Sequence, residues 1–277
     1  MTTTNDGVPR EGYSGLIFAA LVVVVFVLNW KGLQWWATDS GRYWIWLATL
    51  ALITGAVAWI GHALTGRVEG LLIDNKNVMS LSRLQTLIWM LVVLPALVTA
   101  AAANLAKIDD MPTLPAGHPT FARPLDITIP NELLVALGLA GLAFVGAPIV
   151  QGTKMSAEAH PHELPSTTRQ PYLAPGQTGA SGKMFTKSSL DLALWADLFR
   201  GDEVGNADTV DLGKIQQLLV TLLLAGIYIG ALSEMFLTKS QIVDFPALSE
   251  KFVWLLAVSQ GTYLGSAAAP HTRDAAK

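Results

Sequence analysis

The chain has 277 residues, 52% of them hydrophobic and only 14% charged, with a formal net charge of -3. A soluble domain carries about 25% charge, so the chain belongs to the membrane class, and without a basic stripe nucleic acid is not an expected partner. No cysteine occurs, which excludes disulfides, thiol catalysis and zinc–thiolate sites.

A spanning helix needs about 20 apolar residues. Six segments reach or approach that length: Ser14–Trp30, Tyr43–Leu64, Leu84–Ala106, Leu133–Val150, Ile215–Leu237 and Phe252–Pro270. The first follows a start that mixes Asp6, Arg10 and Glu11, and no small-residue cleavage site comes after it. It therefore reads as a retained helix rather than a signal peptide. Trp30, Trp35, Trp36, Trp44 and Trp46 flank the first hairpin as an interfacial belt would. Six spans put both termini on one side, with the segments 65–83 and 151–214. That side carries twelve basic residues against six on the other, so it is expected to be cytoplasmic.

The third and fifth spans open alike. Gly70–Leu91 aligns with Gly201–Leu222 without a gap, pairing Asn75 with Asn206, Arg83 with Lys214 and Gln85 with Gln216. Ser80 and Asp211 are suited to cap the two helices. Arg83 and Lys214 lie one turn in, where a basic side chain reaches headgroups. Gln85 and Gln216 either bond a neighbouring helix, or each other across a pseudo-axis, or line a polar vestibule. The same offset pairs Pro95 with Gly226, either packing kinks or a gating hinge. The helices that follow also match: Ile129-Pro130 and Phe245-Pro246 each precede a Glu and an apolar run. A two-helix unit returns the chain to its starting side, so two such repeats would run parallel. Gly138, Gly141, Gly146, Gly261 and Gly265 read as points of close helix contact, within the chain or between copies in a homo-oligomer.

Residues 151–187 are rich in Pro, Gly, Ser and Thr and read as a linker. After them Leu190, Leu194 and Leu198 recur at spacing four, with Trp195 and Phe199 beside them. This predicts a short amphipathic helix that rests on the membrane, docks a partner, or packs on the bundle's own inner face. The acids Asp202, Glu203, Asp208 and Asp211 do not follow the calcium-loop spacing. Pro175–Met184 resembles a phosphate loop with the wrong glycine spacing. His160 and His162 could hold a metal, yet sit in the Pro-rich linker. Ser181 has no evident base. His62 and Glu234 lie near span ends, and no ionisable residue sits mid-span, which disfavours proton pumps and intramembrane proteases.

The "SLSR-L-Q" start together with Ser259, Gly261, Tyr263, Leu264 and Gly265 resembles a pattern in uncharacterised bacterial multi-pass membrane proteins. The resemblance spans residues 70–265 and implies no activity. The expected fold is an all-α integral membrane bundle of six helices with two parallel two-helix repeats. It divides into a hairpin (1–64), a first repeat (65–150), a cytoplasmic loop with an amphipathic helix (151–200) and a second repeat (201–277). The expected role is a non-enzymatic inner-membrane scaffold, anchor or signalling component, with a cytoplasmic protein partner and no cofactor. The alternative is an oligomeric channel with Gln85, Gln216, Pro95 and Gly226 at its pathway.

Overall fold

A computed structural model describes residues 11–35, 39–106, 125–156, 176–239 and 241–269. Among these residues are six α-helices: α1 (Glu11–Trp35), α2 (Asp39–Thr65), α3 (Leu81–Ala106), α4 (Asn131–Met155), α5 (Leu212–Thr238) and α6 (Glu250–Ala268). One hairpin, β1 (Thr178–Ser181) and β2 (Met184–Lys187), lies between α4 and α5. Helices α1 to α5 are long and apolar enough to cross a membrane, so the chain is a multi-pass helical membrane protein in contact with lipid. The sixth expected span forms a helix but is not in that set, because its 19 residues carry the polar stretch Ser259–Tyr263.

The described residues fall into two compact units that cut across the segments read from sequence. One takes Met1–Leu71, Leu91–Ile129 and Ile229–Pro246. In it α1 and α2 form a hairpin, joined where Asn29 Nδ2 donates to Thr49 Oγ1 at 2.8 Å, with both side chains buried. Leu33, Ile45 and Ala103 pack beside this bond. Trp30 and Trp44 are exposed, as an interfacial belt requires, but Trp46 is buried and stacks on Phe236 at 5.2 Å. The Trp35 side chain and all of Trp36 lie outside the described residues. Asn104 clasps the backbone of Ile242, donating to its carbonyl at 2.7 Å and accepting from its N–H at 3.0 Å. Thr128 pairs in parallel with Asp244, donating to Val243 O and accepting from Phe245 N.

The other unit takes Leu72–Met90, Pro130–Tyr228 and Ala247–Lys277. There α4 and α6 run side by side in the same direction: Gly146 neighbours Leu264, and Lys154 Nζ donates to Ala269 O at 2.7 Å. Of the five expected glycines, Gly146 alone lies at this contact. A side chain added at Gly138, Gly141, Gly261 or Gly265 would meet open space. The buried stripe of α4 is instead Ala136, Ala140, Ala143 and Ala147, and that of α6 is Leu256, Ser259, Gln260 and Tyr263. Alanine allows close approach without glycine's entropic penalty in a helix.

Residues 190–199 do not form the expected amphipathic α-helix. They make two 3-10 turns, Leu190–Leu192 and Trp195–Phe199. The cause is a buried ion pair. Lys187 Nζ binds both oxygens of Asp197 at 2.7 and 2.8 Å and also donates to Leu192 O at 2.9 Å. Asp197 in turn accepts from Leu194 N at 2.9 Å. An α-helix would need Leu192 O and Leu194 N for its own i to i−4 bonds; both are taken. Asp197 also receives Met79 N at 3.4 Å, and Lys187 N donates to Lys76 O at 2.9 Å. These bonds fasten the hairpin and both turns to the segment before α3. Ala193 and Leu198 are buried there with Ile73, Met79, Leu81 and Tyr263. Of the alternatives for this segment, packing on the protein itself prevails.

Breaking this pair from one side leaves a buried charge, at a cost of about 3–5 kcal/mol, whereas replacing both partners is far milder. Thermal or denaturant unfolding in detergent should therefore show Lys187→Met losing about 3 kcal/mol or more, and Lys187→Met/Asp197→Leu recovering much of it.

Candidate functional site

The polar side chains expected at the helix starts form two clusters in the second unit. The first is a ring of buried glutamines. Gln85 on α3, Gln217 on α5 and Gln260 on α6 are each at most 3% exposed. Gln217 Nε2 donates to Gln85 Oε1 at 2.7 Å and to Gln260 Oε1; Gln260 Nε2 reaches Gln85 Oε1 at 3.3 Å. Gln85 Nε2 donates to Thr221 Oγ1 at 2.9 Å and to Gln217 O at 3.3 Å. In a water-poor interior such amides must find partners or lose a hydrogen bond's worth of stability each, and this ring supplies nearly all of them. Gln217 Oε1 and Ser259 Oγ remain without a partner.

Gln216, the residue matched to Gln85 by alignment, is exposed on a different face of α5. It joins neither the ring nor any vestibule with Gln85; its neighbour Gln217 holds that place. Adjacent helical residues point about 100° apart, so one step along the chain decides between core and lipid. Gln260 was not singled out from sequence, although a glutamine inside an apolar run is itself a signal.

The second cluster is charged and lies at the helix starts. Arg83 does not need headgroups to be satisfied: its Nη1 donates to Ile73 O at 2.7 Å. Lys214 is buried and donates to Asp202 Oδ1 at 2.9 Å. Each basic residue thus folds back onto the loop before its own helix. Lys76, 1% exposed, lies 3.2 Å from Asp74 and 3.9 Å from Asp202, and Lys154 pairs with Glu203. Burial would raise the Asp202 pKa, but the ammonium groups of Lys214 and Lys76, together with the Lys214 hydrogen bond, outweigh it and hold the carboxyl below its usual range. Asp211 caps α5, accepting from Gly213 N at 2.9 Å and Lys214 N at 3.2 Å. Asp202, Glu203 and Asp211 are thus engaged by ammonium and N–H groups. Among the described residues no cluster of three or more His, Cys, Asp or Glu is placed to hold a metal.

The two helix starts share a local design. A 3-10 turn ends at Leu72 or Phe199, a backbone bridge joins Ile73 to Met79 or Arg200 to Val210, and the cap residue closes the loop. Ser80 N donates to Leu72 O, and Asp211 N to Phe199 O, both at 2.8 Å. The helix then begins at Leu81 or Leu212. The enclosed loop is longer in the second case, 201–209 against 74–78. The gap-free match of Gly70 with Gly201 therefore pairs residues in different places. Gly70 lies against the end of α2, where a Cβ would meet Thr65 Oγ1 at 1.7 Å. Gly201 lies within its own loop, where a Cβ would meet Asn206 at 2.1 Å.

Of the remaining residues, Leu198 is buried and Leu190 half-buried, while Leu194, Trp195 and Phe199 are exposed. Helix α3 is continuous through buried Pro95, and α5 through Gly226, which faces open space. The phosphate-loop lookalike is the β1–β2 hairpin, turning through Gly182. His160 and His162 lie outside the described residues. His62 and Glu234 are exposed at helix ends. No protein-family model, no curated protein and no solved structure matches the chain.

Two outcomes follow for unfolding in detergent. Gln85→Leu should cost about 1–3 kcal/mol by stranding its partners, and Gln216→Leu less than about 0.5 kcal/mol. Asp202→Asn should destabilise at neutral pH. A carboxyl with a lowered folded pKa stabilises above its unfolded value of about 3.9. The gap to wild type should therefore be full at pH 6–8, shrink as pH falls below about 4, and close through the folded pKa.

Proposed function

We propose that this chain is a non-enzymatic scaffold or anchor of a bacterial inner membrane, presenting the folded segment 178–211 to a partner at the cytoplasmic face. The observation that carries this reading is the Lys187–Asp197 pair, which fixes that segment to the start of α3. A rigid, non-helical platform with Leu194, Trp195 and Phe199 exposed suits recognition. The sealed glutamine ring favours glue over a vestibule, so the oligomeric-channel alternative has less behind it.

The same proposal includes six spans and two parallel two-helix repeats. Helix α6 runs beside α4 with the same direction, and its 19 residues cover about 28 Å, close to a hydrocarbon core. The matching designs before α3 and α5 support a duplication. So does the parallel bridge of Thr128 with Asp244, each two residues ahead of the proline in its Ile-Pro or Phe-Pro pair. Both termini would then be cytoplasmic, in line with the basic-residue bias.

Because the chain lacks cysteine, single cysteines report cleanly. Asp191→Cys should resist a membrane-impermeant maleimide in intact cells, and Lys251→Cys should react; the reverse pattern would overturn the orientation. Liposomes holding the folded protein should pass no potassium, chloride or glycerol. Flux that disappears in Gln85→Leu/Gln217→Leu would replace the scaffold with a channel. A photocrosslinker at Asp191 should give one discrete adduct in cells that Trp195→Ala removes, and its absence would count against a docked partner.

A further inference from the structure

The β1–β2 hairpin leaves one strand edge open. Its register pairs Thr178 with Lys187, Gly179 with Thr186, Ala180 with Phe185 and Ser181 with Met184. Along an antiparallel strand the backbone groups of successive residues point alternately to one neighbour and to the other. Phe185 N donates away from β1, to Asp202 O, and Lys187 N to Lys76 O, both at 2.9 Å. The β1–β2 bonds therefore run from Thr186 and Met184 to Gly179 and Ser181. The N–H and C=O groups of Thr178 and Ala180 point the other way, and among the described residues they meet no partner. Ala180 is exposed.

The far edge of β2 is taken, since Met184 also bridges Glu203. Only β1 is left to extend the sheet. Natural edge strands are guarded by charge, proline or a bulge, and Thr178–Ser181 carries none of these. An uncharged edge with small side chains admits another strand closely, and it does not repel a copy of itself.

We infer that two copies of the chain pair through β1, edge to edge and antiparallel. Centred on Gly179, this register sets Thr178 against the partner subunit's Ala180 and Ala180 against the partner subunit's Thr178. Each of these pairs exchanges both its bonds, so every open group of the edge is used. Between them Gly179 meets the partner subunit's Gly179 in the close pair, where Cα atoms approach to about 4.5 Å and glycine brings no side chain. The twofold axis of such a pair runs normal to the sheet, and two copies in one membrane need it along the membrane normal. The hairpin is set for this. Lys183 N donates to Lys154 O in the last turn of α4 at 3.1 Å. Met184 lines a small cavity with Gln151, Tyr263 and Ser266, near the ends of α4 and α6. Strand side chains stand perpendicular to the sheet, so the sheet lies across those helix ends with its normal along them. A strand from another protein could form the same bonds, but no charge or side-chain pocket on this edge selects one, whereas a second copy brings the matching edge. The pairing rests neither on the orientation nor on the docked protein proposed above.

Disulfide crosslinking in native membranes with a permeant oxidant tests the register. The chain has no cysteine, so only introduced thiols react. Thr178→Cys/Ala180→Cys should give a dimer band, because the bonded pairs hold their Cα atoms about 5.5 Å apart. Either single variant should give little, since like residues then lie more than about 7 Å apart. In detergent, sedimentation equilibrium should show Ala180→Pro dimerising about tenfold more weakly, having lost one N–H donor in each copy, with unchanged thermal unfolding. If Ala180→Pro fails to fold, charge decides the matter. Thr178→Glu/Ala180→Glu sets like charges opposite each other and should be monomeric, and Thr178→Glu/Ala180→Lys sets opposite charges there and should dimerise. Absence of the dimer band, equal crosslinking by the single variants, or equal dimerisation by the two charged variants would overturn the pairing. An adduct of the double variant with a different protein, in place of the dimer, would give the edge to another strand and overturn the second copy as its occupant.

Discussion

One ammonium group organises the segment between α4 and α5. Lys187 Nζ holds a carboxylate and a backbone carbonyl, and the same carboxylate receives N–H groups from Leu194 and Met79. Two buried charges are costly unless each is paired and its remaining sites are bonded; here nearly all are used. The arrangement converts a leucine-rich stretch that would otherwise wind into an α-helix into two short turns with fixed exposed tips. It also ties those turns to the loop that starts α3, so the shape of the extramembrane segment and the entry angle of a spanning helix are set together.

The same logic governs the second unit as a whole. Its polar side chains meet one another: the glutamine ring, the Lys76–Asp202–Lys214 group and the Lys154–Glu203 pair. Lipid cannot satisfy a polar group, so a membrane protein that keeps such groups must bring them together from distant parts of the chain. Gln85, Gln217 and Gln260 come from three different helices, and the amide of Gln217 bonds both of the others. Their pairing therefore selects which helices touch, in a bundle whose leucines bind lipid and protein about equally well.

Much of the architecture was legible because its signals are one-dimensional. Span length and hydropathy locate α1 to α5, and Asp211 caps its helix as its residue type suggests. What failed was anything requiring a rotation angle. In a soluble helix the apolar stripe marks the core; in a membrane helix both faces are apolar, so Gln216 and Gln217 could not be told apart by pattern. The same blindness favoured glycines over the alanine stripe of α4. Leu190, Leu194 and Leu198 misled for a different reason: their periodicity is real, but a lysine outside the stretch takes the carbonyl that a helix would need. Loop length also escaped, because glycine and asparagine matches in unlike places concealed the longer loop before α5.

The parallel bridge between Thr128 and Asp244 bears on how the protein is made. Its two halves are separated by more than a hundred residues, so the segment leading into α4 waits for chain that is synthesised much later. Asn104 waits likewise for Ile242, and Gln85 for Gln260. A nascent chain that has already inserted its first four helices therefore carries open backbone edges and unpaired amides within the bilayer. Such a species is a natural client for membrane chaperones and a natural substrate for quality-control proteases. Truncation near the C-terminus would thus be felt in abundance before it was felt in any activity.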